Sequence, residues 1–204
     1  MSRPLPIPAS GGTRLQLGQP WNASPDPTFR PGDVEIRWSP RALHVTATLT
    51  DGEIFTEVTS DNQRTWELGD VFEMFILPQG HEEYVELHVV PTNHRTQLHF
   101  PAHLPGPRPK TFESRIIDPA DFESQIHLSA IGWRIEAAIP ARIFDVPEFA
   151  CGQRFHMNFA RYDATRDQPP VLSSTARHPV IDFHRIQEWT DFQLENGKIG
   201  PPPR

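Results

Sequence analysis

The stretch "WELGDVFEMFILPQGHEEYVELHVVP", residues 66–91, holds two runs of strand composition joined by the polar turn "PQGHEE". Side chains on a strand alternate between its faces. In 71–77 the even positions Phe72, Met74 and Ile76 are all apolar, and the odd ones are Val71, Glu73, Phe75 and Leu77. In 84–90 the odd positions Val85, Leu87 and Val89 are apolar, and the even ones are Tyr84, Glu86, His88 and Val90. Antiparallel pairing with Leu77 opposite Tyr84 sets Phe75 against Glu86, Glu73 against His88 and Val71 against Val90. The two apolar sets then share one face. A slip of one residue would turn Glu86 and His88 into that face, so the register is strongly preferred.

The other face of this hairpin mixes Phe75 and Tyr84 with Glu73, Glu86 and His88. Such a mixture suits the wall of a polar pocket. It also suits a solvated sheet face with an incidental Glu–His pair, worth a few tenths of a kcal/mol. In "RFHMNFARY" (154–162), Phe155, Met157 and Phe159 point inward and His156, Asn158, Ala160 and Tyr162 point the other way. Asn is a poor strand former, so Asn158 calls for a partner. If this strand lies near the central hairpin, Asn158 and Arg161 join Glu73, Glu86 and His88 around one cleft.

Outward from the hairpin the period stays at two. "DVEIRW" (33–38) and "LHVTATLT" (43–50) form a hairpin with one wet face, Val34, Ile36 and Trp38 lying with Leu43, Val45, Ala47 and Leu49 on the other. "TQLHF" (96–100) is a short strand. "QIHLSA" and "WRIEAAIP" pair with Trp133, Ile135, Ala137 and Ile139 inward, "ARIF" after Pro140 reads as a helical turn, and "WTDFQLE" closes the set. About nine or ten strands of ordinary length, separated by Pro, Gly, Asp and Asn turns, indicate an all-β, antiparallel, jelly-roll-like β-sandwich. The expected organisation is a loosely packed segment over 1–19, one domain over 20–195 and a flexible tail over 196–204.

Composition supports that class. The 204 residues include 23 prolines, which oppose long helices. A net charge of -7 argues against nucleic acid as a partner. A single cysteine, Cys151, excludes an intramolecular disulfide and a cysteine-based zinc site. No run approaches the roughly 18 apolar residues of a membrane span, and "MSRPLPIPASGG" lacks the apolar core of a signal peptide. The chain as given therefore reads as cytoplasmic and not membrane-bound; a trimmed secreted chain would look the same. Oligomeric state is not legible. The sequence contains no H-E-x-x-H, G-x-S-x-G, P-loop or G-x-G-x-x-G motif.

Five segments in order carry a family resemblance: "W-x(3)-D-x(2)-E-x-F-I" from Trp66 to Ile76, "YVELHVVPTN" at 84–93, "GWRIEAAIP" at 132–140, "GQRFHMNFAR" at 152–161 and "FHRIQEWTDFQL" at 183–194. The chain resembles the family 9 carbohydrate-binding modules and their wider family-9-like, DOMON-type group over roughly residues 20 to 195. The resemblance implies a non-catalytic sandwich module binding a sugar or glycan end, often with structural calcium. It makes Trp66 the stacking platform, with Glu73, Glu86, His88 and Asn158 as polar ligand-binding positions. Family members with a sugar clamp carry a second aromatic residue three positions after that Asn; here Arg161 stands there, with Tyr162 beside it, and Ser174 and Thr175 replace a frequent Trp. The candidate ligand-binding set is thus Trp66, Glu73, Glu86, His88, Asn158, Arg161 and Tyr162. One aromatic platform, worth roughly 1 kcal/mol, with two or three charge-assisted hydrogen bonds gives affinities between about micromolar and millimolar.

Two rival functions share these residues. A glycoside hydrolase would use Glu73 and Glu86, diagonal neighbours with Cα atoms about 7–8 Å apart, although His88 opposite Glu73 is expected to lower the pKa a catalytic acid needs raised. A haem-binding relative would use Met74 or Met157, whose inward parity favours core packing instead. Trp66 itself has a bland reading, capping the end of the core. Trp38, Trp133 and Trp189 are expected in the core; Trp21 is undecided. Calcium remains possible through Asp51, Glu53, Asp61 and Asp70 near one loop, which turn formation explains as well; no residue is assigned as a metal ligand.

Overall fold

The structure is a computed structural model describing residues 3–102, 111–117 and 122–197. Among the described residues twelve strands form two sheets: β1 (Leu5–Pro8), β2 (Thr13–Gln16), β3 (Gly32–Trp38), β4 (Ala42–Thr50), β5 (Val71–Pro78), β6 (Glu83–Val89), β7 (Arg95–Pro101), β8 (Glu123–Ser129), β9 (Gly132–Pro140), β10 (Arg154–Asp163), β11 (Val171–Ser174) and β12 (Thr190–Glu195). One sheet runs β1-β12-β10-β5-β6-β7, with β11 also paired to β10; the other runs β2-β3-β4-β9-β8. Every pairing is antiparallel except β1 with β12. Short 3-10 turns occupy Thr65–Glu67, Glu113–Arg115, Ala141–Phe144 and Ile186–Glu188. Among the described residues no helix is long and apolar enough to cross a membrane.

The core lies between the sheets and follows the period-two reading. Phe72, Met74, Ile76, Val85, Leu87 and Val89 meet Val34, Ile36, Leu43, Val45, Ile135 and Ile139, all buried. The central register is the expected one, with Glu73 opposite His88 and Phe75 opposite Glu86. Met74 and Met157 are fully buried in this core, so neither thioether faces an open cavity.

Within the segment 1–19, expected to be loose, residues 5–8 and 13–16 are instead packed into the sheets. β1 and β2 add one strand to each sheet, and Ile7 is fully buried. Pro6 and Pro8 fit because β1 is an edge strand, where a missing N–H costs no ladder bond on the open side. The tail beyond Gly197 lies outside the described residues.

β10 organises the site. Residues 154–157 pair with β12 and residues 160–163 with β11 along the same edge. The chain between those two strands, residues 175–189, leaves the sheet and covers its outer face. Ala176, Phe183 and Trp189 pack there on Phe75, Leu77, Tyr84 and Ala160 as a second apolar cluster. Trp189 is therefore buried, yet outside the main core, with its indole N–H donating to the Phe183 carbonyl at 2.8 Å.

A candidate ligand pocket on the outer face of the seven-stranded sheet

Where the 175–189 segment stops covering the sheet, a pocket of about 390 Å³ opens over β5 and β6. Glu73 and Glu86 line its floor, and Trp66, Phe100, Phe112, Tyr162 and Phe183 supply aromatic walls. Trp66 is half-buried, its ring edge-on to His88 at 5.6 Å and to Phe112 at 5.7 Å. Arg64 and Arg115 stand at the rim, each stacked on an aromatic face, Phe112 at 5.2 Å and Phe100 at 4.5 Å. A larger groove of about 940 Å³ runs along residues 186–191, but its cations Arg3 and Arg177 are exposed and no buried carboxylate faces it.

The floor is a hydrogen-bonded cluster. His88 Nε2 lies 2.7 Å from Glu86 Oε1 and 3.5 Å from Glu73 Oε1, and His88 Nδ1 lies 2.6 Å from Thr65 Oγ1. His88 and Thr65 are fully buried, and Glu73 and Glu86 nearly so. Glu86 Oε2 is buried without a hydrogen-bond partner among the described residues, with His184 Nδ1 3.8 Å away. His184 is held in turn by the Tyr84 hydroxyl at 2.6 Å.

Burial sets the proton balance. It pushes the Glu73 carboxyl up to about 8, with the Glu86 carboxylate adding to the rise and His88 opposing it. His88 does lower Glu73, as expected, but loss of solvation outweighs it and the net shift is upward. For His88, burial disfavours the charge, but Glu73 and Glu86 together outweigh it and the net shift is upward. The Tyr162 hydroxyl is held above its ordinary range, first by burial and then by the two carboxylates.

Of the seven candidate residues the structure brings together five. Trp66, Glu73, Glu86 and Tyr162 line the pocket, and His88 supports its floor. Asn158 faces the same side but is covered: its carboxamide oxygen accepts from Ser174 Oγ at 2.7 Å and the Ala176 N–H at 3.2 Å, and its nitrogen meets His178 Nε2 at 3.2 Å. It ties β10 to the covering segment. Arg161 is elsewhere altogether. It shares the parity of Phe159, so it points to the inner side of the sheet, fully buried, where its guanidinium lies 2.9 Å from Asp51 and 3.1 Å from Asp163 and donates to the Thr50 carbonyl at 2.7 Å.

That position bears on calcium. Asp51 and Asp70 do converge, with Asp163, their ligand atoms within 4.8 Å of one another. The Arg161 guanidinium already supplies positive charge among them. Glu53 pairs instead with Arg166 at 3.9 Å, and Asp61 accepts the Arg95 N–H at 2.8 Å, so the four expected residues form no common set.

Sequence reading missed Phe100, Phe112, Phe183 and His184 as wall residues, since they sit on segments without a period or at a strand end.

A Bacteroides uniformis protein proposed to bind carbohydrate superposes with a TM-score of 0.72 at 15% identity, covering 90% of this chain and 87% of its own. A family 9 carbohydrate-binding module of Caldicellulosiruptor kristjanssonii in complex with cellotriose gives 0.65 at 13% identity over 98% of this chain and 99% of the module. The chain shares the fold of the family 9 modules. A Caldicellulosiruptor kristjanssonii family 9 module in complex with glucose gives 0.61 at 16% identity, covering 87% and 83%. No protein-family model and no curated protein matches the sequence. Across this fold the likeness lies in shape, with little in sequence.

Proposed function

We propose that this chain binds carbohydrate without turning it over, holding a sugar in the pocket above Glu73 and Glu86. The observation that carries the reading is the lining itself: a half-buried Trp66 and further aromatic rings beside carboxylates that open onto the pocket. An aromatic face suits the C–H face of a pyranose, and carboxylate oxygens accept its hydroxyls. At about 390 Å³ the pocket is within the range of small-ligand sites. The cellotriose and glucose complexes of modules with the same fold support the ligand class.

Phe112, in place of an aromatic at position 161, is the second aromatic surface in this reading. Trp66 is the platform, Glu73 and Glu86 are the acceptors, and Tyr162 and His184 bound the sugar. Calorimetric titration with neutral and acidic mono- and disaccharides tests it. Heat of binding that is lost in Trp66→Ala is the expected result; no heat from any sugar would overturn the reading.

One observation favours hydrolysis: burial leaves Glu73 protonated beside Glu86, the arrangement of a general acid and a carboxylate. The arrangement opposes it. Both carboxylates face one imidazole rather than flanking a bond. No release of reducing sugar is expected from any glycan that binds.

A further inference from the structure

We infer that the pocket floor is a binding site for a divalent transition-metal ion, with Glu73, Glu86 and His88 as its protein ligands. The three side chains each offer one ligand atom, and these atoms lie within 4.8 Å of one another at the inner end of the pocket. An ion bonded at about 2.0–2.2 Å to imidazole nitrogen and carboxylate oxygen requires its ligand atoms to stand roughly 3–3.6 Å apart. His88 Nε2 and Glu73 Oε1, at 3.5 Å, already do. Nε2 and Glu86 Oε1, at 2.7 Å, stand at hydrogen-bond distance with a proton between them. An ion takes that proton's place, and a small rotation of the Glu86 carboxylate opens the contact.

The independent observation is Glu86 Oε2. Glu86 is 4% exposed, and this oxygen is buried without a hydrogen-bond partner among the described residues. Protons shared among Nε2 and the Oε1 atoms leave it unserved, and a buried acceptor without a donor is costly, more so when charged. A cation reached through Glu86 serves it. Thr65 Oγ1 engages His88 Nδ1 at 2.6 Å, which fixes the ring and directs Nε2 to the carboxylates.

The donor set narrows the ion. One imidazole with two carboxylates is harder than a thiolate site and softer than an all-oxygen cage, which suits zinc, manganese or ferrous iron. Three protein ligands on the inner side leave the coordination positions facing the pocket open. In the proposed sugar complex, hydroxyls fill those positions. The inference itself does not rest on the sugar reading.

The test uses the full chain stripped with EDTA. It is titrated without sugar, with manganese followed by electron paramagnetic resonance and with zinc followed by calorimetry. One equivalent of each is expected to bind. Glu86→Gln, nearly isosteric, is expected to weaken binding at least tenfold, and Thr65→Val, which keeps every ligand, by about tenfold. In the unsubstituted chain, substoichiometric manganese should broaden the amide signals of residues 73, 86 and 88 before any others. Broadening centred on the surface pairs His156–Asp191 or His94–Asp61, or uptake undiminished in Glu86→Gln, would overturn the site. Sugar titration of the stripped and loaded chain separates the two readings. Metal uptake without sugar heat overturns only the sugar, and sugar heat without metal uptake overturns only the metal.

Discussion

Asn158 and Arg161, three residues apart on β10, serve opposite faces and different duties. The Asn158 carboxamide satisfies Ser174, the Ala176 N–H and His178, all buried. Asn158→Ala strands those groups, and we expect a loss of about 2–3 kcal/mol in urea unfolding. Arg161 compensates buried carboxylates instead. Arg161→Met leaves Asp51 without its guanidinium and Asp163 with Arg30 alone, for an expected loss of about 3–5 kcal/mol, part of which returns in the double variant with Asp51→Asn. Strand parity alone brings Glu73, Glu86 and His88 to one face, because a period of two is a strong constraint where the other face is core. The same parity sends Arg161 inward; the family pattern, which places an aromatic there, pointed the other way and was misleading. Phe183 and His184 carry no comparable signal. They reach the pocket through a segment whose path is set by the Arg185–Glu188 and His178–Glu188 pairs and by Trp189, contacts that no period encodes.

At the level of elements, the tight hairpin between β8 and β9 is where backbone conformation is least forgiving. Gly132 has φ 147, and a Cβ there would stand 1.9 Å from the Leu49 carbonyl oxygen of the neighbouring strand β4. Gly80, in the β5–β6 turn, has φ 86 and nothing within 4 Å. Gly80→Ala therefore carries only the conformational cost, about 1 kcal/mol, whereas Gly132→Ala adds displacement of a β4 backbone carbonyl and should cost about 3 kcal/mol or more. Chemical denaturation of the two variants side by side checks it; equal losses would mean that β4 yields freely. The long strands were legible in sequence for the same reason that this hairpin is rigid: each alternates against a packed neighbour. β1, β2 and β11 were not, being four residues long with proline in β1 and serine in β11, too short for a period to stand out. Their position is decided by tertiary pairing, β1 lying parallel to a strand nearly two hundred residues later in the chain.

Over the whole molecule, the net charge of -7 sits on a surface rich in ordinary ion pairs, while the interior holds carboxylates that burial makes reluctant to ionise. Asp70, fully buried, is pushed up to about 7, first by desolvation and then by Asp51, against the N–H groups of Phe55 and Ala164 and the Arg161 guanidinium. Asp163 is likewise raised by burial, with Asp51 adding and Arg161 and Arg30 opposing. A folded-state pKa above the unfolded value means that the native chain binds the proton more tightly. The stability from that proton is complete below the ordinary carboxylate range and is lost as pH rises through about 7 for Asp70. Each such group contributes a slope of up to about 1.4 kcal/mol per pH unit across its window. The melting temperature, measured in chelator so that no ion binds the pocket floor, should therefore be higher near pH 5 than near pH 8. Asp70→Asn should start lower, since an amide cannot accept both the Phe55 and Ala164 N–H groups, and should show a flatter decline over the same range. Replacing the chelator with calcium should leave both curves unmoved through this cluster, because the Arg161 guanidinium already pairs with Asp51 and Asp163. A melting temperature that rises from pH 5 to 8 would mean that Asp70 and Asp163 stay ionised in the fold and that Arg161, rather than burial, governs them.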